Sequence, residues 1–260
     1  MLKVEIQAAV ARVTLDRPEV RNAFDDALIA ALTEAFLEVS SDKSVRVVVL
    51  AGNGPAFCAG ADLNWMKRMA GYGYAENLAD ARALATMLAT LDRLPQPTIA
   101  RVHGPAFAGG TGLVAACDIA VGTPEARFCF SEAKLGLSPA TISPYVIRAI
   151  GERMARRYFL TAEVFGAEDA LRIGLLSALV PAADLDVAID DLLKHLLAGA
   201  PEAHVKIKDL IRAVTGRRVD DALSADTAKR IAEIRVSPEG KEGIAAFLEK
   251  RRASWCSPKS

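Results

Sequence analysis

Apolar positions along the chain change their period several times, and each change marks an element. Residues 2–6 and 11–15 are short apolar runs separated by a brief break and stopped by Asp16-Arg17-Pro18, which predicts a hairpin. From 25 to 39 the residues Leu28, Ile29, Leu32, Ala35, Phe36 and Val39 recur at helical spacing. Residues 45–51, VRVVVLA, then give the β-branched run expected of a strand buried on both faces, completing a β-α-β unit. A Gly/Pro/Ala loop over 52–60 leads into a short helix from Leu63, and a longer helix over 74–94 ends at Pro95-Gln96-Pro97. Residues 98–102 read as a strand that enters a second glycine-rich stretch, GPAFAGGTG.

After a helix near Leu113, two short strands are expected at 119–121 and 127–130, and beyond Ser143 nearly everything has helical periodicity. Strands are therefore expected to stop early. Helices near 185–197, 202–214, 220–236 and 238–250 have no predicted sheet to cover, so they need a partner surface or the edge of the core. With no internal repeat, low-complexity tract or long linker, the expected class is one α/β fold: a core over 1–195 and a helical C-terminal region over 196–260.

Composition narrows the class. A chain of 260 residues, 52% hydrophobic and 25% charged, forms a substantial core. Lys+Arg 32 balances Asp+Glu 32 and the pI is 6.8, so no bulk charge holds a nucleic-acid backbone or an anionic membrane surface. No apolar stretch approaches the ~18 residues of a membrane span, and Glu5 and Arg12 fall where a signal peptide needs an apolar run. We expect a cytoplasmic protein with neither DNA nor membrane as partner. Cys58, Cys117, Cys129 and Cys256 lack CxxC spacing, which suits buried thiols better than a disulfide frame or a metal site.

Two stretches carry candidate chemistry. In FCAGADLNWM (57–66) and HGPAFAGGTG (103–112) small residues let a ligand approach the backbone just before a helix begins, where free N–H groups can hold an anion or a developing oxyanion. One such loop is more often only a tight turn or a close-packing device; two of the same design point to a shared function. The second has P-loop spacing, but Gly110 stands where the phosphate-binding Lys must be. Gly110-x-Gly112-x-x-Ala115, with Glu132 downstream, satisfies a loose dinucleotide fingerprint, although the rest of the chain is too helical to complete a doubly wound sheet. Glu132, after Phe128-Cys129-Phe130, is the carboxylate whose setting is apolar, which raises its pKa toward a value useful in proton transfer. Its bland alternative is a cap or a solvated acid. His103 and His204 are lone histidines, a type more often structural than catalytic.

The order of blocks DRPEVRNAF, VVVLAGNGPAFCAGADLNWM, PTIARVHGPAFAGG, ACDIAVGTPEARFCFSEAKLGL, EDALRIGLLSALVP and EGIAAFLEKR resembles the crotonase, or enoyl-CoA hydratase/isomerase, family nearly end to end. The resemblance implies a β-β-α superhelix whose C-terminal helices assemble trimers, commonly paired into hexamers, and an acyl-CoA substrate with no separate cofactor. It implies that Ala61 and Gly109 supply the oxyanion-hole amides and that Glu132 moves the proton. It places Ala59, Asp62 and Leu63 at the adenine of coenzyme A through their backbone, Val20 and Arg21 beside its phosphates, Gly110 in the binding loop, and Phe247 and Lys250 on a C-terminal helix that reaches a bound CoA. Trp65 and Met66, ordinarily core residues on a short helix, fall on the segment that lines the acyl pocket in that family.

The sequence departs from two-glutamate hydratases, because Gly112 stands where their first catalytic Glu lies and Pro139-Ala140-Thr141-Ile142-Ser143 replaces the glycines that often follow the second. Family isomerases work with one glutamate at the Glu132 position. AGADLNWM together with FSEAKLGLSPATISP is nevertheless most similar to bacterial methylglutaconyl-CoA hydratases of leucine degradation. The expected activity is hydration of a branched α,β-unsaturated acyl-CoA, with isomerisation from the 3-enoyl to the 2-enoyl ester as the alternative. Outside the family reading stand an NAD(P)-dependent oxidoreductase and a non-catalytic CoA- or RNA-binding member.

Overall fold

The computed structural model describes residues 1–256. The opening runs form β1 (Leu2–Gln7) and β2 (Val10–Leu15), an antiparallel pair whose outer strand is exposed and carries Lys3 and Glu5, a charged edge that discourages further pairing. Next comes α1 (Asp26–Ser41), which buries the apolar stripe from Leu28 to Val39. Asp25 caps it by accepting a hydrogen bond from Leu28 N at 2.8 Å. β3 (Val47–Gly52) is buried on both faces, as its unbroken VVVL run predicts, and pairs parallel with β2.

Beyond it lie α2 (Leu63–Met69), α3 (Tyr74–Asp92), β4 (Thr98–Val102), β5 (Ala106–Phe107), α4 (Gly109–Ala116), β6 (Ile119–Gly122) and β7 (Arg127–Cys129). They are followed by α5 (Ser143–Thr161), β8 (Phe165–Gly166), α6 (Ala167–Arg172), β9 (Ala178–Leu179) and α7 (Leu185–Ala198). Six strands form one sheet in the order β1-β2-β3-β4-β6-β9, and β5-β7-β8 form a second.

Strands thus continue past Ser143, where only helices were expected. β5, β8 and β9 are two residues long each, too short to show a period of their own. Tertiary packing defines them instead. Phe165 of β8 stacks on Phe128 with ring centroids 5.5 Å apart and on Tyr158 at 4.1 Å, while β8 pairs antiparallel with β7.

The chain divides into two compact units: Met1–Leu94 with Thr98–Asp191, and Pro95–Pro97 with the chain from Leu192 onward. The second contains α8 (Pro201–Val214), α9 (Asp221–Val236) and α10 (Pro238–Leu248). Within it, the carboxylate of Glu239 accepts hydrogen bonds from the first-turn amides of Glu202 and Ala203, and Lys208 donates to the Gln96 carbonyl at 3.0 Å. Its helices leave Ile207, Ile211, Ile231, Ile244 and Phe247 exposed. Among the described residues no helix is long and apolar enough to cross a membrane.

Candidate active site

The first glycine-rich loop is held by the segment before α1. Phe24 N donates to Gly60 O at 2.6 Å and Asp62 N donates to Phe24 O at 2.7 Å, a single parallel bridge that flanks Ala61. In such a ladder the residue between the two bonded neighbours turns its own N–H to the opposite side. Among the described residues, the Ala61 amide has no hydrogen-bond partner. Gly60 has φ +92°, a left-handed conformation suited to glycine, and sits against Phe107 and Ala108 of the second loop.

The second loop leaves β5 and becomes the N-terminus of α4. Ala108 N donates to Cys129 O at 2.8 Å, and the first amide accepted inside the helix is that of Gly112, by Ala108 O. The amide of Gly109 is unpaired among the described residues, as helix N-termini leave their leading donors. Gly110 packs on Cys58, where a β-carbon would come within 2.9 Å of the Cys58 Cβ. Burial pushes the Cys58 thiol up to about 12, against the smaller opposing effect of the Gly60 N–H, which disfavours the thiolate that a nucleophile needs.

Glu132 arrives by register. β5 and β7 run parallel with Phe107 opposite Cys129, so Gly109 and Glu132 emerge from the same, C-terminal, end of adjacent strands. A 3-10 turn over Ser131–Leu135 carries the glutamate and is closed by Leu137 N donating to Glu132 O at 3.0 Å. Oε2 is buried and has no hydrogen-bond partner among the described residues. Burial pushes the carboxyl above its ordinary 4.5, with its own backbone N–H pulling weakly the other way. Two unpaired amides and one desolvated carboxyl can hold charge on an oxygen and exchange a proton beside it.

The other expected residues take varied positions. Val20 ends a 3-10 turn, and Arg21, with φ +53°, is exposed with its guanidinium unpaired among the described residues. Ala59 N is engaged by Arg21 O, and Leu63 is exposed. Asp62 is buried: its carboxylate caps α2 by accepting from Asn64 N at 2.8 Å and pairs with Arg17 at 3.2 Å. Burial raises its pKa, but the amides of Asn64 and Trp65 and the Arg17 guanidinium outweigh that and hold it below the usual range. Trp65 is 6% exposed and its indole donates to Asp80, which places it in the core; Met66 is half-buried. Phe247 and Lys250 lie exposed in the second unit. His103 Nε2 donates to Gly54 O, 2.8 Å away, holding the loop before the first glycine stretch.

Sequence reasoning gave no site role to Arg17, Asn22, Phe24 or Ile142. The first three lie in DRPEVRNAF, a block that gave the stop of the hairpin and, by resemblance, an approach to the CoA phosphates.

A profile of the family described as Enoyl-CoA hydratase/isomerase matches residues 5–258. The chain belongs to that family. A crystal structure of an enoyl-CoA hydratase from Shewanella pealeana is 42% identical, covers 98% of this chain and 95% of its own, and superposes with a TM-score of 0.95. One from Mycobacterium smegmatis is 36% identical with a TM-score of 0.91, covering 98% and 99%. A Thermus thermophilus protein carrying a provisional enoyl-CoA hydratase name is 36% identical over 96% of this chain and 98% of its own length. This family member is accordingly an enzyme of the enoyl-CoA hydratase/isomerase class with the crotonase fold.

Proposed function

We propose that the enzyme adds water across the double bond of a branched, methylglutaconyl-like α,β-unsaturated acyl-CoA. The observation that carries the reading is the pair of unpaired amides, Ala61 and Gly109, beside the desolvated Glu132. In the forward step Glu132 takes a proton from water as the oxygen bonds to the β-carbon. The thioester becomes an enolate whose oxygen accepts from both amides, and the proton then passes from Glu132 to the α-carbon. One oxyanion donor is worth about 3 kcal/mol in such a step.

The Arg21 guanidinium, Val20 and the backbone of Ala59, Asp62 and Leu63 bind the CoA. The branched acidic acyl group rests on the likeness of AGADLNWM and FSEAKLGLSPATISP to methylglutaconyl-CoA hydratases. Exposed apolar residues on the C-terminal helices favour a homotrimer or hexamer; light scattering that reports a stable monomer at micromolar concentration overturns the assembly.

A second reading, migration of a double bond from the 3-enoyl to the 2-enoyl ester, is favoured by the absence of a second carboxylate at Gly112. Incubation with 3-methylglutaconyl-CoA, crotonyl-CoA and a 3-enoyl-CoA in oxygen-18 water decides between them. Label in a 3-hydroxyacyl product supports hydration. Conversion of the 3-enoyl ester alone, without label, replaces it by the proton shuttle.

A further inference from the structure

We propose that Phe24 is the positioning residue that sets the separation of the two oxyanion donors. The inference rests on the reading of Ala61 and Gly109 as those donors. Phe24 is 2% exposed and meets each loop with a different part of itself. Its main chain holds the first, through the bonds to Gly60 O at 2.6 Å and from Asp62 N at 2.7 Å that turn the Ala61 N–H outward. Its ring meets the second: a β-carbon on Gly109 would lie 2.8 Å from Phe24 Cε2 and 3.0 Å from Cδ2. The ring edge therefore fills the space at residue 109 that a side chain would take.

A spacer works only if its own ends are fixed, and both are. Two residues earlier Asn22, fully buried with φ +57°, donates to the carbonyls of Asn53 at 2.8 Å and Ala56 at 2.9 Å and accepts from Arg17 N at 2.8 Å. One residue later Asp25 caps α1 and pairs with Arg17 at 2.8 Å. Arg17 also pairs with Asp62, the cap of α2, so one guanidinium joins the caps of the helices on either side of the bridge. A planar ring on so constrained a backbone has few ways to yield, and oxyanion donors must be placed to within a few tenths of an ångström. A side chain that merely filled the core would contribute to stability and leave the polarisation of the thioester unchanged.

The test uses the full-length protein. Phe24→Leu keeps the backbone bridge and apolar filling but withdraws the ring edge. We expect kcat on 3-methylglutaconyl-CoA or crotonyl-CoA to fall about 10- to 100-fold with KM changed by less than about threefold. In the Glu132→Gln background, which holds the ester without turnover, the Raman carbonyl stretch of the bound ester should move back toward its free-solution value on adding Phe24→Leu. A folded Phe24→Leu protein with parental kcat and parental carbonyl shift overturns the proposal. If Phe24→Leu does not fold, Gly109→Ala decides, since it keeps every N–H and pushes on the ring from the other side. Its kcat should fall, and Gly109→Ala with Phe24→Leu should recover part of the loss; a parental kcat for Gly109→Ala, or a folded double variant with a kcat no higher than that of Gly109→Ala alone, overturns the role. A parent that shifts no carbonyl and turns over no ester overturns the reading of the site and the proposal together, whereas a parent that does both beside an indifferent Phe24→Leu overturns the Phe24 role alone.

Discussion

Ile142 occupies the space that any side chain at Gly112 would need: a β-carbon there would lie inside van der Waals contact of Ile142 Cγ2 and 2.9 Å from its Cβ. Position 112 is thus closed to a side chain by packing as well as lacking a carboxylate. Gly112→Ala should cost about 1–3 kcal/mol by overpacking a core site. Ile142→Ala alone should cost about 2–5 kcal/mol by leaving a cavity. Paired, the two should cost less than their sum, which thermal unfolding of the four proteins in a double-mutant cycle measures. Strict additivity would contradict the contact.

Glu132→Gln should lower kcat at least about 100-fold, because an amide cannot exchange the proton. Burial raises the folded-state pKa of Glu132 above 4.5, so whatever stability this group contributes is present below the unfolded value and is lost as pH rises through the folded one. Removing the ionisable group should therefore favour the variant more at pH 7 than at pH 4. The melting temperature of Glu132→Gln relative to the parent, followed across that interval, reads the sign. The acid limb of kcat/KM should lie above the ordinary glutamate range.

Gly109→Pro and Gly109→Ala share the same collision with Phe24, but only proline deletes the N–H. The ratio of their kcat values should isolate the donor at about 100- to 1,000-fold. Equal values in two folded proteins would take Gly109 out of the oxyanion hole.

Asp62→Asn should keep a cap on α2 yet break the pair with Arg17, costing about 1–3 kcal/mol at neutral pH. The net effect on Asp62 is a depressed folded-state pKa, so its contribution is present above the unfolded value of 3.8 and lost as pH falls through the folded one. Urea unfolding at pH 7 and pH 3 should show the parent and variant converging in acid. A constant gap would place the stabilisation elsewhere.

The long elements were legible because each has a period long enough to read: the α1 stripe from Leu28 to Val39 and the VVVL run of β3 announce themselves. β8 and β9 were not, since Phe165 and Ala178 become strand residues only through neighbours remote in sequence. The site divides the same way. Glu132 and the glycines of both loops stood out by residue type and setting, whereas Phe24 looks in sequence like any helix-preceding apolar residue. Its contact with Gly109 exists only once the chain is folded. Ile142 was visible as a departure from a glycine pattern, but the space it fills at Gly112 was not.

In the proposed mechanism two of the three groups at the reacting centre are main-chain amides, which makes the charge-stabilising apparatus almost indifferent to the genetic identity of the residues that carry it. Of the coded substitutions only proline erases a peptide N–H; all others threaten Ala61 or Gly109 through bulk alone. Selection can thus rewrite the walls of the acyl pocket position by position while the electrostatic apparatus is copied forward in the backbone. That separation lets one scaffold change diet without relearning how to hold an enolate.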